Sequence, residues 1–153
     1  MTLSLQEISD RLELQDLAVQ YSVAVDRKDW ALYESLFTPD AVIDYTEAGG
    51  VRGGPHEVAQ WLAQVMPNFP AYQHLVANHE LRVDGDEAWG RAMLLNPMGC
   101  QTPKGLQVAF VGLWYNDRYR RTPDGWKFTE RVEEMSWQRD WPTDFTVPEV
   151  SGI

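Results

Sequence analysis

Helical signals crowd the first 65 residues of this chain, and strand signals crowd the rest. That segregation limits the fold more than any other feature. Alternating strands and helices would call for a parallel sheet, whereas helices first and strands afterwards call for an α+β architecture. Ser4-Leu-Gln-Glu7 fits a capping box and predicts a helix behind it. A second short helix is expected from about Trp30 to Phe37, before Pro39, and Ala41 to Tyr45 reads as a strand. Pro55 suits the first position of a third helix, which carries Val58, Trp61, Leu62 and Val65 and stops at Pro67.

Strands follow. Tyr72 to Val83 is one, with a bend expected near Asn78. Asp84-Gly-Asp-Glu87 is a hairpin turn, and Ala88 to Leu95 returns from it. Asn96 to Lys104, with two prolines and a glycine, reads as a loop. Leu106 to Tyr119, a turn at Thr122-Pro-Asp-Gly125, and Trp126 to Trp137 complete an antiparallel meander. The tail after Trp141-Pro142 has no periodicity.

The first helix carries two apolar stripes: Leu5, Ile8, Leu12, Val19 and Val23, and beside them Leu14, Leu17, Ala18, Tyr21 and Val25. So wide an apolar face suits a helix clasped by a sheet. At 153 residues, 44% of them hydrophobic, one domain with a sizeable core is expected. The net charge of −10 argues against a nucleic-acid partner, since phosphate binding needs clustered Lys and Arg. No apolar run reaches the ~18 residues of a membrane span. The start lacks the basic region and apolar core of a signal peptide, so a cytoplasmic location is expected. The single cysteine, Cys100, forms no internal disulfide and has no neighbouring histidine to activate it. His74 and His79 are five apart, on opposite faces of a regular strand, so no metal site is expected; nor is any other cofactor.

Two frames carry the candidate chemistry. Asp26 lies in Tyr21-Ser-Val-Ala-Val-Asp26-Arg-Lys-Asp-Trp30, at the end of the first helix. His74 lies in Tyr72-Gln-His74-Leu-Val-Ala-Asn78, where a strand opens. A carboxylate bonded to an imidazole makes a base suited to neutral pH. Left to themselves, an Asp at a helix end is a solvent residue and a lone His is a satisfied core residue.

These frames, with Phe37-Thr-Pro-Asp-Ala41, Trp114-Tyr-x-Asp-x-Tyr119 and Asp124-Gly-Trp-Lys-Phe128, resemble the SnoaL-like branch of the nuclear transport factor 2-like superfamily over about residues 5 to 137. The resemblance implies a single-domain, cone-shaped α+β barrel (residues 1–141) with helices packed in a curved, mostly antiparallel sheet around an apolar pocket. Residues 142–153 would form a tail able to cover the pocket mouth, with Phe145 or Val147 in a lid role. Within the superfamily the chain is similar to scytalone dehydratase, bile acid 7α-dehydratase and hexachlorocyclohexane dehydrochlorinase. Their Asp-His pair falls on Asp26 and His74.

The same resemblance makes Tyr21 and Tyr45 pocket tyrosines, and Asn78, Trp61, Met98, Val111 and Arg120 substrate contacts. Arg121 competes with Arg120 for the arginine position. Met98 stands where scytalone dehydratase has a second histidine, which argues against that activity. The implied function is a cofactor-independent lyase that removes a leaving group from a cyclic or polycyclic apolar molecule, His74 acting as base. A ketosteroid-isomerase-like isomerase or polyketide cyclase, whose base would lie nearer Asp44, and a non-catalytic binding module remain alternatives. Relatives assemble as trimers or dimers, so a homo-oligomer, preferably a trimer, is expected. Two geometric points stay open. Tyr21 and Asp26 are ~140° apart on an ideal helix, so the helix must end or bend for both to serve one pocket. Asp44 and Tyr45 point to opposite faces of a strand, so one of them lines the pocket.

Overall fold

A computed structural model of the chain describes residues 2–147 and residue 150. The remaining tail positions, 148, 149 and 151–153, lie outside the described residues. Three α-helices, α1 (Leu5–Arg27), α2 (Trp30–Ser35) and α3 (Pro55–Val65), accompany seven strands. These are β1 (Phe37–Asp44), β2 (Arg52–Gly53), β3 (Ala71–Tyr72), β4 (Leu75–Asp84), β5 (Glu87–Thr102), β6 (Gly105–Thr122) and β7 (Gly125–Arg139). They form one sheet in the order β2-β1-β7-β6-β5-β3, with β4 continuing along the same edge of β5 as β3. Among the described residues only β1 and β7 pair in parallel; the other pairings are antiparallel. The helices pack on the sheet's inner face in an α+β cone.

The capping box forms as the sequence implies. The Ser4 hydroxyl accepts from the Glu7 N–H at 3.2 Å, and the Ser4 N–H donates to the Glu7 carboxylate at 2.7 Å. At the other end Lys28 takes a left-handed conformation (φ 58°). Its N–H donates to Val25 O, and the Asp29 N–H donates to Ala24 O, which closes a Schellman cap. The cap fixes the last turn, and with it Asp26.

Of the two stripes on α1, the sheet clasps only one. Leu14, Leu17, Ala18, Tyr21 and Val25 are buried, whereas Leu5 is 87% exposed and Leu12 60%. Asp10 joins the buried side, where its carboxylate accepts from Arg121 (2.8 Å), Gln6 (3.0 Å) and Trp126 (3.2 Å).

The strands differ from expectation in several places, among them the break at Gln73–His74 that divides the expected Tyr72–Val83 strand into β3 and β4. Phe37 opens β1 rather than closing α2. The loop expected from Asn96 to Lys104 is strand as far as Thr102. Pro97 is tolerated there because its carbonyl accepts from the Gln73 N–H, in the break between β3 and β4. Its missing donor therefore faces no paired strand. Finally, alternation is interrupted by bulges. Asn78 (φ 35°) is unpaired between Ala77 and His79, so β4 does bend there. Thr129 and Ser136 are skipped in the register of β7 against β6. Each bulge reverses which side chains face inward. After Thr129 the inward set becomes Arg131, Glu133 and Met135, and after Ser136 it includes Gln138.

Candidate active site

Between the helices and the inner face of the sheet lies a cavity of about 610 Å³. α1 contributes Tyr21 and Val25, α3 contributes Trp61, Leu62 and Val65, and the sheet contributes Leu94, Met98, Val111 and Leu113. The wall is mainly apolar with a few polar groups, as small-molecule sites are.

His74 lies in the two-residue link between β3 and β4, and its side chain, 7% exposed, forms part of the cavity wall. Behind it sits Asp26. The imidazole Nδ1 is 2.6 Å from Asp26 Oδ1, and the His74 backbone N–H donates to Oδ2 at 3.2 Å. An ionised carboxylate can only accept, so Nδ1 carries the proton and Nε2 is left as the basic nitrogen. α1 runs on through Asp26 to Arg27. Tyr21 reaches the cavity directly, and Asp26 reaches it through His74, whose ring lies 6.4 Å from that of Tyr21.

Tyr45, not Asp44, lines the cavity. Asp44 bonds Thr46 and pairs with Arg52 outside it. The Tyr45 hydroxyl shares hydrogen bonds with those of Tyr21 and, at 2.9 Å, Tyr33. Burial pushes the Tyr21 phenol up to about 12 and raises the other two well above the ordinary range. All three therefore stay protonated and able to donate.

Trp61, Met98 and Val111 also lie on the wall. Two expected contacts do not. Asn78 is exposed on β4, where the bulge needs a residue that tolerates positive φ. Arg120 points outward and pairs with Glu87 and Asp40. Its rival Arg121 bridges Asp10 and Asp86, which gives it a structural role.

The arginine at the heart of the cone is Arg131. It is fully buried, is held bidentately by Asp117 at 2.8 Å, and stacks 4.0 Å from the rings of Tyr21 and Tyr115. Glu133, two residues further along β7, was equally unforeseen and lines the cavity. Straight alternation from Trp126 and Phe128 would have put Glu130 and Val132 inward. The Thr129 bulge puts Arg131 and Glu133 there instead, and no feature of the sequence marks that bulge. In the tail, Trp141, Phe145, Thr146 and Val147 close one side of the cavity, with Trp141 and Phe145 packed on Phe69.

A curved sheet wrapped on helices around a cavity defines the nuclear transport factor 2-like class of proteins. A model of the SnoaL-like domain matches residues 6–132, and the chain belongs to that family. An uncharacterised protein of Mycobacterium tuberculosis is 48% identical over 137 residues, which span 90% of this chain and 92% of its own. Among solved structures, a Novosphingobium aromaticivorans protein provisionally named an aromatic ring hydroxylase is 30% identical (TM-score 0.75; 84% of this chain, 90% of that one). LinA is 25% identical (TM-score 0.77; 95% and 98%). A protein from the same Novosphingobium species, provisionally named a scytalone dehydratase, shares the fold at 19% identity (TM-score 0.77; 92% and 93%). Dehydratase and dehydrochlorinase names thus recur among the structural neighbours.

Proposed function

We propose that this protein is a cofactor-independent lyase that carries out a dehydratase-type elimination on a cyclic, largely apolar small molecule. One observation carries the reading: the Asp26–His74 contact of 2.6 Å, with the imidazole on the wall of an apolar cavity. Nε2 of His74 removes a proton from the carbon next to an activating group. Asp26 fixes the tautomer and stabilises the imidazolium that forms, as the aspartate does in a serine-protease triad. Tyr21 or Tyr45 donates to the oxygen on which negative charge develops. Trp61, Met98 and Val111 bound the space for the ring. Phe145 and Val147 act as a lid on it.

The test is turnover of cyclic hydroxy ketones by the wild-type protein and by His74→Ala. Release of water that disappears in the variant supports the reading. A product of unchanged mass would replace it with an isomerase or cyclase. A ligand recovered unaltered would replace it with a binding module.

A further inference from the structure

Elimination of a hydroxyl group needs an acid as well as a base, because hydroxide leaves poorly. His74, unprotonated at Nε2, cannot supply that proton first. The tyrosine hydroxyls are bonded to one another, and burial makes them weak acids. Among the other titratable side chains of the cavity wall, Glu47 is taken: its carboxylate accepts from the Met135 N–H at 2.9 Å.

Glu133 differs. The Thr129 bulge turns it inward, opposite Tyr115 of β6, onto the same cavity wall as His74, Tyr21 and Tyr45. It is half-buried, and no hydrogen bond reaches its carboxyl from the described residues. A carboxyl on a cavity wall without a protein partner is completed by what enters the cavity. Burial and the nearby Asp44 disfavour its charged form. Tyr21 of α1, Tyr33 of α2, Asp44 of β1, Tyr45, Tyr115 of β6 and Arg131 of β7 stand around it, with His74 and Glu47 on the same wall. The only cation in that set, Arg131, is paired with Asp117 and works against burial without overcoming it.

We propose that Glu133 is the general acid of the site, protonating a leaving hydroxyl group, and that the substrate is therefore a cyclic β-hydroxy carbonyl compound rather than a halide. The proposal rests on the reading of His74 as base. In the step, His74 Nε2 takes the proton from the carbon between the carbonyl and the hydroxyl-bearing carbon. The C–H electron pair becomes the new C=C bond. The C–O bond breaks, its pair goes to oxygen, and the Glu133 proton completes a water molecule. The products are an enone and water. The proton left on His74 and the charge left on Glu133 are cancelled by proton exchange with solvent. Burial pushes the Glu133 carboxyl up to about 8, with Arg131 opposing and Asp44 reinforcing, so the acid is loaded at neutral pH.

A matched pair of probes tests this: monocyclic and bicyclic β-hydroxy ketones, and the same ketones carrying β-acetoxy, which leaves as acetate without a proton. Glu133→Gln should lower kcat on the hydroxy ketones by about 10²–10⁴-fold and leave the acetoxy ketones within a few-fold. The retained acetoxy activity shows that the variant is folded. The wild-type rate on hydroxy ketones should fall above about pH 8, and the acetoxy rate should not. Equal effects on both probes, or on neither, overturn the acid role while leaving the base in place. Acetoxy turnover that survives His74→Ala overturns the base reading instead. Failure of the wild type to turn over any hydroxy ketone overturns the substrate class. Independently of any substrate, ¹³C-carboxyl NMR should show one glutamate titrating near pH 8 that vanishes in Glu133→Gln; a Glu133 signal titrating between 4 and 5 overturns the proposal.

Discussion

Asp26 holds His74 at two points, the ring Nδ1 at 2.6 Å and the backbone N–H at 3.2 Å. The first bond selects a tautomer; the second fixes where the β3–β4 link passes the end of α1. Asp26 is itself placed by the Schellman cap at Lys28 and by the Tyr72 hydroxyl, which donates to Val25 O at 2.9 Å. Local helix chemistry thus decides the position of the candidate base.

Asp26→Asn removes the charge and keeps the shape. An amide can donate to Nδ1 and so favour the wrong tautomer. Turnover should fall at least about 10²-fold with little change in KM, and the melting temperature should stay within a few degrees. Steady-state kinetics and calorimetry on one preparation check both.

Asp10 is an ion-pair anchor that does not line the cavity. Its hydrogen bond from Arg121 holds it at about 2, against the opposing effect of burial. The folded value lies below the unfolded one, so the stabilisation is present above about pH 4 and is lost as pH falls through 2. Asp10→Asn should cost roughly 2–3 kcal/mol in urea denaturation at pH 7, and the gap should close toward pH 2.

Glu133 acts in the opposite sense. Its folded value, about 8, exceeds the ordinary carboxyl value of 4.5. The associated stability is complete below 4.5 and is lost as pH rises through 8. Its partial access to the cavity limits the effect to at most about 4 kcal/mol. Wild-type protein should lose urea resistance between pH 5 and 9, and Glu133→Gln should flatten that slope.

The outer face of the sheet exposes Leu106, Val108 and Phe110 on β6 beside Trp137 on β7, a run of apolar surface unusual for a monomer. A trimer formed through this face is expected. Light scattering should show it, and Val108→Asp with Phe110→Asp should dissociate it; a stable wild-type monomer removes the idea.

Phe145 closes one side of the cavity, and its ring lies 5.3 Å from that of Phe69. Phe145→Ala should weaken binding of 1-naphthol by about 5–10-fold, the worth of one aromatic pair, without a change in melting temperature. Titration calorimetry checks it.

What the sequence made legible follows from physics. Ser4 and Glu7 announce a helix start because each satisfies one of the free N–H donors there. Pro55 and Asp84-Gly85 announce a helix start and a hairpin for equally local reasons. Tyr21, Asp26, Tyr45 and His74 came from frames whose order matches a family, and the fold brings all four together. Thr129 and Ser136 carry no such signal, unlike Asn78, a residue type that tolerates the positive φ of its bulge. Hence nothing in the sequence marks Arg131 and Glu133, while Asn78 and Arg120, placed at the pocket by the resemblance alone, do not line the cavity. The Asn96–Lys104 loop failed similarly, because Pro97 meets no partner needing its N–H.

The most direct test of the central claim is the protonation of the His74 ring, read by ¹⁵N NMR on protein labelled at histidine and assigned with His74→Ala. Neutral His74 should carry its proton on Nδ1, with Nε2 free, and Asp26→Asn should abolish this preference. A neutral His74 protonated at Nε2 would contradict it, since the nitrogen assigned as base would hold a proton already.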